Sequence, residues 1–359
     1  MKAGITRRQA LGTIAGSITL AMYPAAAEDR LAKLYDRALV IDGLSFGRDW
    51  KKEEFQALKV AGYAGIVESL PRRDFRTAVD ALVQWKRRAE KHSDFLMIAL
   101  SAADFERAKR GRKTAVLMNF QDSTMLEGDV DNVDALHALG MRSFQLTYNY
   151  RNRVGDGCLE RTNAGLSEFG IELVERMNRV GVLIDLSHCG RQTTLDGIAF
   201  SKRPVAMTHT MCEALREGHP RAKTDAEIRA CAEKGGVVGI AALGYFLGPD
   251  PGGETTIEAY ADHIEHAASV GGHEHVGLSS DFPPQGLRSW ATRENWYEPR
   301  LKSFKPSYQV RWPPWIPELD SPERFLNVAR VLERRGWSEH KLELLLGRNW
   351  LRLFGDAIG

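Results

Sequence analysis

Cysteine is scarce in this 359-residue chain, with only Cys158, Cys189, Cys212 and Cys231. So few exclude a small disulfide-stapled scaffold, and a core of this size needs no staple. Buried thiols are the first expectation and a disulfide the second. Metal ligation comes last, because Cys189 and Cys212 each follow a histidine and neighbours on a strand point to opposite faces. Long hydrophobic runs are also missing. The stretch 10–23 is too short and too rich in Gly, Ser and Thr to cross a bilayer, and the final LRLFGDAIG is no anchoring tail, so no stable membrane anchor is expected. Nor is one charge in excess: 49 Lys and Arg face 47 Asp and Glu, a balance that argues against nucleic acid as the main partner. No repeat or low-complexity tract is visible. What is there is an ordinary globular composition, 43% hydrophobic and 27% charged, long enough for one large domain or two.

The chain opens MKAGITRRQALGTIAGSITLAMYPAAAEDR. Arg7 and Arg8, a modest apolar stretch and then Ala25, Ala26 and Ala27 follow the order of a signal peptide, and the paired arginines resemble a twin-arginine export signal. The expectation is a leader over 1–27, export to the periplasm and a single domain over 28–359; a cytosolic protein with a basic N-terminal helix is the alternative. Removing 1–27 takes away Lys2, Arg7 and Arg8 and no acid, leaving 46 basic residues against 47 acidic, a formal charge of −1.

Short apolar, β-branched runs recur at 38–42, 62–69, 114–120, 141–147, 182–187, 203–208, 235–242 and 275–280. Runs without strict alternation suit parallel strands covered on both faces. Between them, 77–92, 170–180, 225–235 and 257–269 read as amphipathic helices. Eight strands alternating with helices predict a (β/α)₈ TIM-like barrel; 95–100 is a ninth candidate that keeps an open doubly wound sheet in play. In such barrels chemistry gathers at the carboxyl ends of the strands. VLIDLSHCG and PVAMTHT both run from apolar residues into histidine, which puts His188 and His209 on the rim after strands five and six. Asp281, in GLSSDF, follows strand eight. Two imidazoles and a carboxylate facing one hollow suit Zn²⁺ or a similar ion, whereas hydrogen-bonded core histidines are the plain alternative.

At these residues the sequence resembles the membrane dipeptidase (renal dipeptidase) family of metallopeptidases. The segments are QLTYNYRN (145–152), NAGLSEFGIELVERMNRVGVLIDLSH (163–188), RPVAMTHT (203–210), GHPRAKTD (218–225), GGVVGI (235–240), HVGLSSDF (275–282) and LLGRNWLRLF (345–354), in family order and at family spacing. The resemblance implies a (β/α)₈ barrel, with His188 and His209 as the histidine ligands of one metal and Asp281 as the aspartate that holds the reactive water. It also implies Arg221 near the substrate carboxylate; Asn149, following strand four, is a further candidate substrate contact.

The departures from the family are as specific. Its first strand ends in a His-x-Asp pair, where this chain has Leu44 and Phe46; its bridging glutamate falls at Gln121, and its strand-four histidine at Tyr148. Two divalent ions about 3.5–4 Å apart need anionic ligands around them, so a full dinuclear centre is not expected. The expectation is one Zn²⁺-class ion per chain on His188 and His209, with Gln121 or water completing the shell. Asp281 then serves as general base or further ligand, and Tyr148 as hydrogen-bond donor to the oxyanion. The implied activity is metal-dependent cleavage of a dipeptide or small peptide-like amide. A catalytically silent relative that binds a peptide, or assists maturation of a peptide-derived metabolite, is the alternative.

After Asp281 comes a proline-rich, aromatic stretch with Trp290, Trp296, Trp312 and Trp315. Between 285 and 315 it carries Arg288, Arg293, Arg300, Lys302, Lys305 and Arg311 against Glu294 and Glu298. A lid over an anionic or aromatic ligand is one reading; a packed external arm, or a partner-chain contact such as a homodimer would use, is the other. His263 and His266 share a helix face but fall on the barrel exterior, where structural roles are expected. Gly155 and Gly157 read as a turn, and Ser187 lacks the Gly-x-Ser-x-Gly elbow of serine hydrolases.

Overall fold

The computed structural model describes residues 25–47, 49–248 and 255–359. Of the expected leader, residues 1–24 lie outside the described residues, and Ala25 opens a helix that runs to Arg37.

All eight expected runs form parallel strands: β1 (Ile41–Ser45), β2 (Gly65–Ser69), β3 (Thr114–Phe120), β4 (Met141–Gln145), β5 (Leu183–Asp185), β6 (Ala206–Cys212), β7 (Val237–Ile240) and β8 (Val276–Leu278). They pair in chain order. The ring closes between its ends: Ser45 bridges Phe282, and the Asp281 N–H donates to the Leu44 carbonyl at 2.9 Å. The barrel is therefore a (β/α)₈ fold. The ninth candidate is also real, as Leu96–Ile98, but it adds to the outside of β3 at Leu96↔Thr114 and opens nothing.

Every residue of β3 and β6 is buried, which is why these strands read as continuous apolar runs rather than alternating ones. The four expected helices appear as Phe75–Lys91, Glu168–Val180, Asp225–Glu233 and Ile257–Gly271. Two of the starts come earlier than periodicity alone indicates, because a cap residue sets them. Asp74 accepts from the Thr77 N–H at 2.7 Å, and Ser167 from the Gly170 N–H at 3.0 Å.

At the amino end of the barrel the helix Asn349–Ile358 inserts Trp350 among the strands. A Cβ on Gly43 or Gly277 would lie 2.4 Å from the indole, and one on Gly239 would lie 2.9 Å from it. The indole N–H donates to the Leu278 carbonyl at 3.1 Å. Bare backbone on three strands is what admits so large a ring. With that end plugged, the open end is the carboxyl one.

Candidate metal and substrate site

A single buried carboxylate organises the ends of β5 and β6. Asp185 Oδ1 accepts from the Ser187 N–H at 3.0 Å, the Ser187 hydroxyl at 2.5 Å and the Thr208 N–H at 3.0 Å, while Oδ2 accepts from the Thr208 hydroxyl at 2.6 Å. The residues next to those two hydroxyls are His188 and His209. Asp185 thus fixes where both imidazoles leave the barrel.

The tautomers follow from the neighbours. The Thr208 hydroxyl donates to Asp185, so its lone pairs receive the Nδ1–H of His209 at 2.8 Å. Asn149 Oδ1 can only accept, so His188 Nδ1, 2.8 Å away, carries a proton as well. Both Nε2 atoms are then bare, and they face each other at 3.0 Å. Burial, and next the Arg221 charge, holds both imidazoles well below their ordinary pKa, so a proton between them is disfavoured. Two converging lone pairs, each backed by a held Nδ1–H, are the donor set that fits a divalent cation.

Among the described residues no group of three His, Cys, Asp or Glu side chains is assembled to hold a metal. Asp281 lines the same cavity as His188, a hollow of about 270 Å³ at the carboxyl end of the barrel. Its backbone sits at φ +53°, in the left-handed region that few non-glycine residues occupy. Burial pushes its carboxyl up to about 7, against the opposing pull of Arg221 and Arg300.

Gln121 and Tyr148 line this cavity too, with Phe46 and Ser69 from the ends of β1 and β2. The Tyr148 ring stacks on His188 with centroids 4.0 Å apart, and the Arg72 guanidinium covers its other side at 4.6 Å. Asp122, next to Gln121, is not among the cavity's lining residues and ties its own loop, accepting from the Ser123 N–H and the Asn152 amide. His209 is fully buried beneath His188.

Two expected substrate contacts sit elsewhere. Asn149 is 2% exposed and acts on the ring of His188 rather than on the cavity. Arg221 is 1% exposed, and its two terminal nitrogens donate to the carbonyls of Ser187 and His209, the latter at 2.8 Å. A two-residue strand, Ala222–Lys223, pairs with the end of β6 and holds Arg221 against that backbone. Both residues brace the histidines from behind. His263 accepts from the Cys212 N–H at 3.1 Å and His266 pairs with Asp225 at 2.7 Å, the structural roles expected of them. All four cysteines are free thiols, Cys158 partly exposed and the other three buried.

The arm after β8 closes the cavity. Trp290, Trp296, Arg300, Phe304 and Tyr308 form its outer wall, facing Tyr245 and Phe246 from the segment after β7. Its aromatic content and length were visible in the sequence; which residues turn inward depends on short helical turns at 293–297 and 298–303. The arm is pinned to the rim, with His219 Nε2 donating to the Tyr308 carbonyl at 2.9 Å and the Tyr150 hydroxyl to the Ser303 carbonyl at 3.2 Å.

Residues 50–294 match the membrane dipeptidase family, peptidase family M19. Among individual proteins, the chain is 29% identical over 270 residues to dipeptidase verJ of Clonostachys rogersoniana, covering 75% of this chain and 62% of that protein. It is 26% identical over 297 residues to dipeptidase tcpJ of Claviceps purpurea, covering 82% and 62%. The chain therefore spans less than two thirds of the length of either fungal relative. A solved structure described as an amidohydrolase from Pseudomonas aeruginosa superposes with a TM-score of 0.79 at 30% identity, covering 92% of this chain and 99% of the other. A match over more than half its length, together with the barrel and the paired histidines, shows that the chain belongs to the membrane dipeptidase family of peptidases.

Proposed function

We propose that this protein is an exported, metal-dependent hydrolase that cleaves a dipeptide or a small peptide-like amide. The observation that carries the proposal is the facing pair of Nε2 atoms 3.0 Å apart, one on His188 in the wall of the cavity that also presents Asp281, the other on the fully buried His209. His188 and His209 would hold one Zn²⁺-class ion, with Gln121 or water among the remaining ligands. When bound, such an ion polarises the scissile carbonyl and acidifies water. Asp281 accepts the proton of the attacking water and passes it to the leaving amine, a task suited to a carboxyl held near neutrality. The Tyr148 hydroxyl donates a hydrogen bond to the developing oxyanion. Asn149 and the Asp185–Thr208 pair keep the imidazoles in the tautomers that ligation requires. Export rests on the leader-like order of residues 1–27.

The test is a panel of dipeptides and dehydropeptides assayed with added Zn²⁺ and with chelator, on the wild type and on His188→Ala. Hydrolysis that needs the ion and is lost in the variant supports the proposal; hydrolysis indifferent to both defeats it. One feature favours a second reading, a silent peptide binder: Leu44, Phe46 and Gln121 stand where the family resemblance implies metal ligands. That reading predicts peptide binding with no turnover under any metal loading.

A further inference from the structure

The same cavity carries information about what enters it. Its lining includes one guanidinium, Arg300, and one carboxylate, Asp281, while more than half of the lining residues are aromatic. Arg300 is set in place by its own neighbours: the guanidinium lies 4.0 Å from the centroid of the Trp296 ring, and one of its nitrogens donates to the Trp296 carbonyl at 2.9 Å. A guanidinium has five N–H donors in a fork that matches a carboxylate, and among the described residues it makes no ion pair. Arg221, by contrast, has its terminal nitrogens on backbone carbonyls and faces Phe246 at 5.4 Å.

We infer that Arg300, on the arm after β8, is the anchor for the free carboxylate of a small substrate whose apolar, preferably aromatic, side chain rests against the arm's rings. The inference rests on the reading of this cavity as a dipeptide site. A volume of about 270 Å³ lies at the small end of ligand pockets, which run from about 300 Å³ upward, and this favours a short substrate over an extended peptide. Trp290, Trp296, Phe304 and Tyr308 supply flat apolar surface, and rings packed edge to face with a ligand ring add to simple burial. The arm is thereby a specificity element as well as a cover.

Binding can be separated from turnover with ligands that lack a scissile amide. The probes are the ketomethylene isostere of Ala-Phe, its C-terminal carboxamide, and the isostere of Ala-Ala, titrated into metal-loaded protein by calorimetry. The wild type should bind the Ala-Phe carboxylate at least about tenfold more tightly than the carboxamide, as expected for loss of a charged hydrogen-bonded pair. It should also bind Ala-Phe more tightly than Ala-Ala. Arg300→Met should erase the carboxylate preference while leaving the carboxamide affinity within about twofold, and Arg300→Lys should restore part of it. A carboxylate preference that survives Arg300→Met, an equal loss for both ligands, or an Ala-Ala affinity matching Ala-Phe would overturn the inference. Because no bond is cleaved in these titrations, a failure of the hydrolase proposal leaves their outcome readable. Hydrolysis that Arg300→Met does not alter, in KM or kcat, would sink the anchor while sparing the hydrolase.

Discussion

Asp281 joins an unusual backbone conformation to an unusual acidity. Deprotonated carboxylate is the form that accepts a proton, and burial raises its pKa from 3.8 to about 7. The expected kcat/KM therefore climbs through about pH 7 to a plateau, and a pH–rate profile flat from 5 to 9 contradicts the role. Asp281→Asn should lower kcat/KM by about 10²–10⁴, the usual worth of a positioned general base. The stability effect has the opposite direction. Between about pH 4 and 7 the folded state binds more protons at this site than the unfolded chain does, so stability falls as pH rises across that window. Asp281→Asn should accordingly melt higher than the wild type at pH 8, with the gap closing near pH 4, which thermal melts at the two pH values would measure. Tyr148→Phe should lower kcat by about 10²–10³ with little change in KM if its hydroxyl meets the oxyanion. Equal loss in the ground state would show up in KM instead.

The strands and helices were largely legible as sequence, because burial on both faces leaves an unbroken apolar run and amphipathic helices leave a 3.6-residue period. His188 and Asp281 follow their strands, as the same logic expects, whereas His209 lies inside β6 and is fully buried, because that strand runs on to Cys212. What could not be read was direction. Asn149 and Arg221 are near the site but turn behind the imidazoles, the latter because Ala222–Lys223 adds to β6, a two-residue pairing too short to leave a pattern. The inward face of the arm was equally hidden, since its turns follow no period. At the amino end, Trp350 and the glycines of β1, β7 and β8 form one packing unit. Trp350→Ala should cost about 3–5 kcal/mol in chemical denaturation. Gly277→Ala, whose Cβ would lie 2.4 Å from the indole, should cost about 1–3 kcal/mol. In the double variant the two losses should add to less than their sum, because removal of the ring removes the clash. Strict additivity would mean the indole does not fill the barrel as described.

Taken whole, the barrel separates support from chemistry. Its amino end is closed by an indole, its carboxyl end by an aromatic arm, and between them the Asp185 carboxylate clasps the two strands that carry the histidines. In the proposed function, Leu44, Phe46 and Gln121 supply none of the negative charge that a second ion would need, and the chemistry is tied to one cation on one pair of rings. Metal content measured by inductively coupled plasma mass spectrometry, on protein equilibrated with Zn²⁺ and freed of excess, addresses this most directly. About one ion per chain in the wild type, and essentially none in the His188→Ala, His209→Ala double variant, is the predicted result. Either about two ions per chain, or a wild-type stoichiometry that persists in the double variant, would contradict it.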